Sequence, residues 1–156
     1  MNKIFMEKAL ELAKISYKNG DVPIGAVLVK NGKIIGRGYN LKEKKKNPLY
    51  HAEIMAISDA SKKLKSYHLE GTDLYVTLEP CLMCLGAIIN ARIKNLYFAA
   101  YNKRYGCVSS HLKLLTGGGF NHKTFYVGGI MEKTSSELLN SFFTDLRKKG
   151  KKIRHI

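Results

Sequence analysis

His51-Ala52-Glu53 and, further along, Thr77-Leu78-Glu79-Pro80-Cys81-Leu82-Met83-Cys84 are the stretches from which the rest of the chain is best read. Together they spell H-x-E and then P-C-x-x-C. One imidazole and two thiolates can hold Zn²⁺ through three ligands. Tetrahedral zinc wants a fourth, and the motif supplies none. Structural zinc sites are usually closed by four protein ligands, while catalytic ones keep a position for water. Glu53 stands two residues from the histidine, where a carboxylate can take that water's proton. The spacing therefore points to a hydrolytic centre, with His51, Cys81 and Cys84 as metal ligands and Glu53 as the catalytic acid–base. Two thiolates cancel the formal charge of Zn²⁺, so such an ion acidifies water less than one held by three imidazoles. A nearby base matters correspondingly more.

Around these stretches the apolar pattern alternates between strand and helix. Asp73 to Leu78 reads as a strand. Pro80 is expected to start a helix that reaches Ala91, because its missing N–H has no intrahelical partner at a first position. Cys81 and Cys84 then share one face of the first turn, where the helix dipole favours thiolates. A second helix is expected from His51 to about Leu64. Upstream, Asn2 to Asn19 carries a 3.6-residue period and Gly20 ends it. Val22 to Lys30 and Lys33 to Tyr39 read as strands about Asn31-Gly32, a strong hairpin signal. The intervening loop, Asn40 to Tyr50, contains Lys42, Lys44, Lys45 and Lys46. Downstream come a strand at Asn95 to Ala100, an irregular stretch from Tyr101 to His122, a strand at Lys123 to Val127, and a helix from Glu132 to Lys149. After the hairpin, strands alternate with crossovers, so parallel neighbours are expected. The fold class expected is α/β, a single mixed five-stranded sheet sandwiched by helices. The two helix starts should meet at the carboxyl ends of strands, where open α/β sheets commonly bind ligands.

Composition bounds the function. The chain has 156 residues, 45% of them hydrophobic, which suits one domain over residues 1–156 with a basic C-terminal helix and tail at about 132–156. No apolar run is long enough to span a membrane. Glu7 and Glu11 interrupt any signal-peptide core, so a cytoplasmic protein is expected. The net charge of +15 favours polyanions, nucleic acid first among them. Cys107, the cysteine left over, reads as a small buried apolar residue. His68, His111, His122 and His155 lack neighbours of ligand type and read as surface or packing residues.

The motifs resemble those of the zinc-dependent nucleobase deaminases, whose signature is H-x-E with P-C-x-x-C. Over nearly the whole chain the sequence is similar to the bacterial tRNA adenosine deaminases. The likeness is carried by Asp21-Val22-Pro23-Ile24-Gly25-Ala26-Val27-Leu28-Val29, Asn40, His51-Ala52-Glu53-Ile54-Met55-Ala56, Thr77 to Ile88, Asn121-His122, Gly129-Ile130, Leu138-Leu139 and Phe142-Phe143. The resemblance implies a cytidine deaminase-like α/β/α fold and a zinc-dependent homodimer. It further implies conversion of the wobble adenosine of a tRNA anticodon stem-loop to inosine. It places the base among Ile24, Asn40, Ala52 and Pro80, with Asn40 hydrogen-bonded to it and Glu53 moving protons. One departure stands out. The family's Asp-x-Lys-x-Gly is here Asn102-Lys103-Arg104-Tyr105-Gly106, in a loop expected to touch ribose and phosphate.

Two other functions would fit parts of this pattern. A deaminase of free bases or nucleosides would use the same zinc chemistry, but it needs no polyanion surface, and the +15 charge argues against it. A zinc-stabilised RNA-binding module would need no Glu53 and would want a fourth ligand.

Overall fold

Asn31 and Gly32 take positive φ, 50° and 72°, the left-handed geometry of a tight two-residue turn. They join β1 (Gly25–Lys30) to β2 (Lys33–Tyr39) as an antiparallel hairpin. The computed structural model of the chain describes residues 2–150. The other elements, in chain order, are α1 (Lys3–Lys18) before the hairpin, then α2 (Lys42–Lys45), α3 (Ala52–Leu64), β3 (Asp73–Leu78), α4 (Leu82–Asn90), β4 (Asn95–Ala100), α5 (Leu114–Gly117), β5 (Phe125–Val127) and α6 (Glu132–Lys148). The strands form one mixed sheet in the order β2-β1-β3-β4-β5. β1 runs antiparallel to β2 and β3, and β4 is parallel to both β3 and β5.

Alternation along the strands sends side chains to two cores. Val27, Val29, Tyr75 and Ala99 meet Met6, Ala9 and Leu10 of α1. Ala26, Leu28, Leu74, Val76 and Leu96 meet Ala52, Ala56 and Ala60 of α3 and Leu85 and Ile88 of α4. Helices thus cover both faces, as the pattern predicts. α3 lies against β2 at backbone distance, because Gly36 and Gly38 have no side chain. A Cβ there would stand 2.2 Å from Ala56 O and 2.0 Å from Ala52 O respectively. This close approach sets the start of α3 on the sheet.

Strand directions then place the helix starts. β2 and β3 both run opposite to β1, so their carboxyl ends open on one edge, together with that of β4. α3 follows β2 and α4 follows β3, so both begin at that edge.

Several expected boundaries move. β1 begins at Gly25 and not Val22, because Pro23 has no N–H for a ladder and the Ile24 N–H turns back to Val22 O at 2.8 Å. α4 begins at Leu82, so Pro80 is not its first residue; Cys81 is the extended N-cap, at φ −77° and ψ 176°. The expected loop at Asn40 to Tyr50 contains the helical turn α2. The buried Asp21 carboxylate accepts the Glu43 and Lys44 N–H groups of that turn at 2.6 and 3.1 Å. The irregular stretch contains α5. β5 begins at Phe125, because the Thr124 hydroxyl bonds to Ile93 O at 2.9 Å just before it. α6 ends at Lys148. Of the basic tail, residues 151–156 lie outside the described residues. Among the described residues no helix is long and apolar enough to cross a membrane.

Candidate active site

His51 is the N-cap of α3, Cys81 is the N-cap of α4, and Cys84 lies in the first turn of α4. An N-cap side chain naturally leans over the following turn, which brings Cys81 over Cys84. Nδ1 of His51 is 3.7 Å from Cys81 Sγ and 3.5 Å from Cys84 Sγ. All three donor atoms lie within 4.8 Å of one another. A tetrahedral zinc with Zn–S of about 2.3 Å and Zn–N of about 2.0 Å holds its nitrogen and sulfur ligands about 3.6 Å apart. The residues therefore fit zinc in distance, and one imidazole with two thiols fits it in chemistry. Among the described residues no fourth ligand joins them. Cys107 is buried with its thiol toward Tyr105 O at 3.3 Å, and no other histidine belongs to the group.

The cluster is charged unevenly. The Cys84 thiol, as hydrogen-bond partner, draws Cys81 down to about 4 against burial, and His51 adds to the pull. The same contact, with burial, pushes Cys84 up. His51 is raised, chiefly by its hydrogen bond to Cys81. Glu53, 4% exposed in the first turn of α3, is pushed up to about 7 by burial and then by the negative charge of Cys81. A dication on the three donors opposes that rise.

Three of the residues expected to hold a base are chained to this cluster. Asn40 Oδ1 accepts the Ala52 N–H at 3.0 Å. That backbone group can only donate, so the amide orientation is fixed and its NH₂ end is the one left to a ligand. The Asn40 N–H donates to Ile24 O at 3.0 Å, and the Ser16 hydroxyl donates to Asn40 O at 2.9 Å. Ile24, Asn40 and Ala52 are all buried. Pro80 comes in from the end of β3, beside Cys81. Asn102 lies on the loop after β4, half-buried. Its N–H donates to Glu79 Oε2 at 3.0 Å, and its Oδ1 accepts the Tyr105 N–H at 3.1 Å. Half of the acceptor capacity of that amide is therefore spent inside the loop.

Glu79 and Asp21 stand within the quoted motifs with no role assigned to them. Both are buried carboxylates whose acceptors are filled by backbone N–H groups of loops flanking the site. The available signal is an acidic residue at the edge of an apolar stretch, Thr77-Leu78-Glu79 and Asp21-Val22, where charge is costly unless donors meet it. Burial pushes the Glu79 carboxyl up, but the donors from Ser109, Ser110 and Asn102 outweigh it and hold it below the usual range.

The site and fold agree with what the chain is similar to. The model of the cytidine and deoxycytidylate deaminase zinc-binding region matches residues 1–100. The chain belongs to this family of zinc-binding deaminases. A tRNA-specific adenosine deaminase of Bacillus subtilis (strain 168) is 42% identical over 153 residues, 98% of this chain and 95% of that protein. At that likeness the chain falls among the family's tRNA-specific adenosine deaminases. A structure solved in a study of A-to-I editing by tRNA:A34 deaminases at the wobble position of transfer RNA superposes with a TM-score of 0.84 at 39% identity, covering 88% of this chain and 99% of that one. A guanine deaminase structure from Bacillus subtilis superposes less closely, with a TM-score of 0.64 at 31% identity over the full length of both chains.

Proposed function

We propose that the chain hydrolyses the wobble adenosine of a tRNA anticodon stem-loop to inosine and ammonia. It would act in the cytoplasm as a homodimer, with zinc held by His51, Cys81 and Cys84. The observation that carries this is the convergence of three zinc-type donors at tetrahedral spacing, with Glu53 buried beside them. The tRNA-specific adenosine deaminases that the chain matches over nearly its whole length supply the substrate. When bound, zinc lowers the pKa of a water ligand and so supplies a nucleophile near neutral pH.

The chain's own groups do the rest. Ile24, Ala52 and Pro80 wall the flipped adenine, and Asn40 Nδ2 donates to an acceptor of its ring. Glu53 takes a proton as water adds at C6, delivers it to the adjacent ring nitrogen, and helps protonate the departing ammonia. The positive surface draws in the anionic strand. Sedimentation velocity at micromolar concentration should find twice the chain mass, and a monomer would remove the dimer.

The guanine deaminase likeness sets the contrasting experiment. Purified protein is offered an anticodon stem-loop with adenosine at the wobble position and, separately, free adenosine and free guanine. Deamination of the stem-loop is expected to exceed that of the free compounds by several orders of magnitude in kcat/KM. Guanine turnover matching that of the stem-loop would replace the proposal with a free-base deaminase.

Asn102 faces the sugar in this reading. A carboxylate there is a stronger acceptor for a ribose 2′-OH and could still take the Tyr105 N–H. Exchanging a neutral hydrogen bond for a charged one is worth on the order of 1 kcal/mol, or about fivefold. Asn102→Asp should raise the RNA-to-DNA ratio of kcat/KM on matched hairpins by about that factor. A ratio that does not rise removes Asn102 from sugar selection.

A further inference from the structure

Glu79 is a charged side chain with 1% of its surface exposed, and the reaction proposed above gives it no part. It directly follows β3, and its N–H continues the pairing with β4 by donating to Ala100 O at 2.9 Å. Its carboxylate gathers donors from one segment of chain. Oε1 accepts the N–H groups of Ser109 at 2.8 Å and Ser110 at 2.9 Å. Oε2 accepts the Asn102 N–H at 3.0 Å, and the Ser110 hydroxyl completes the set. The loop wraps the carboxylate so closely that a Cβ on Gly106 would stand 2.4 Å from Oε2. The next carbonyl, Pro80 O, takes the Cys107 N–H at 2.9 Å. Residues 102–110 are thus fastened near both ends and in the middle to Glu79-Pro80, directly before Cys81.

This is a costly way to end a strand if packing were all that mattered. A fully buried carboxylate must have its charge met by donors. Only a carboxylate is an acceptor on both of its heavy atoms, so no other side chain of this length can receive all four. A glutamine would keep one oxygen for Ser109 and Ser110 but would turn an NH₂ against the Asn102 N–H, which cannot accept. The segment so held carries Lys103 and Arg104 exposed to solvent. In the function proposed above Pro80 walls the base, so a strand that delivers the base to His51, Cys81 and Cys84 passes this loop.

We infer that Glu79 is a positioning residue whose carboxylate clasps loop 102–110 against Pro80 in the conformation that grips the RNA backbone. It sets KM for RNA and leaves the rate of the chemical step alone. This rests on the RNA-deaminase reading, and the test separates the two.

Glu79→Gln holoenzyme is compared with wild type in two measurements. On the anticodon stem-loop, KM is expected to rise about tenfold or more, the scale of a lost hydrogen bond to a charged acceptor, with kcat within about threefold of wild type. Zinc should stay at one per chain. Without RNA, hydrogen exchange at the Asn102 amide should speed up by a similar factor, while amides of β3 and α4 keep their protection. Ser110→Ala, which removes only the hydroxyl donor, should show a smaller rise in KM at unchanged kcat, and it carries the test should Glu79→Gln not fold. Several results would overturn the inference. One is a fall in kcat at constant KM, which would make Glu79 part of the metal centre's support. Another is unchanged KM and unchanged exchange in the variant that folds. Faster loop exchange with unchanged KM would leave the clasp without its role in RNA binding. A wild type inactive on the stem-loop would overturn the RNA reading and the KM claim together, leaving the exchange measurement to show the clasp alone.

Discussion

Glu53→Ala is expected to bind zinc and fold as the wild type does while losing at least about 10²–10⁴-fold in kcat, the usual range for one general acid–base group. Loss at the upper end is the natural expectation, because a single carboxylate is asked to serve three proton movements. The substitution leaves all three metal donors in place. Glu53 is on the first turn of α3, and without metal its carboxyl is raised by burial and by Cys81, so in the zinc-free protein its charge is held there at a cost to stability. Removing such a group need not destabilise the fold, and the melting temperature should fall little or even rise. The check is kcat on the stem-loop beside metal content from the same preparation. A variant that keeps more than about a tenth of the wild-type rate would take Glu53 out of the proton path.

Cys84→Ala should lose both metal and activity. Partners that only orient a ligand cost 10–100-fold in metal affinity when removed, and a direct ligand from a set of three costs at least that. Cys84 is fully buried in the first turn of α4, next to the N-cap Cys81. Because metal binding is coupled to folding, the variant should also lose the rise in melting temperature that added zinc gives the wild type. Zinc per chain after dialysis, with melting curves at fixed zinc, reads both effects. Full zinc occupancy in Cys84→Ala would mean that the ion sits elsewhere.

The parts of this molecule that could be read from the sequence are those where chemistry or backbone geometry restricts the choice of residue. Asn31-Gly32 announced its turn because few pairs tolerate two positive φ values. That His51, Cys81 and Cys84 come together is legible because two thiols and an imidazole at helix starts have few other uses in such a pattern. The alternating strands then fixed which edge they share. Long-range satisfaction of polar groups could not be read. Asp21 caps a turn more than twenty residues away, and Glu79 collects a loop beyond the next strand. Spacing alone cannot say which donors will meet a buried carboxylate. The start of α4 differs from the expected position for a related reason. Proline favours a first helical position in general, but here the extended Cys81 serves as the cap and pushes Pro80 outside the helix. The beginning of β1 moved because a local contact, the Ile24 N–H to Val22 O, competed with the sheet.

The central claim is that this cluster and carboxylate hydrolyse the wobble adenosine of a tRNA. The most direct measurement is inosine mapping by sequencing after purified wild type and Glu53→Ala are each incubated with unmodified total tRNA. The account predicts adenosine-to-inosine conversion confined to the wobble position of tRNAs that carry adenosine there, present with wild type and absent with Glu53→Ala. Contradiction would be no inosine in any tRNA from a zinc-replete wild type, or equal conversion by both proteins.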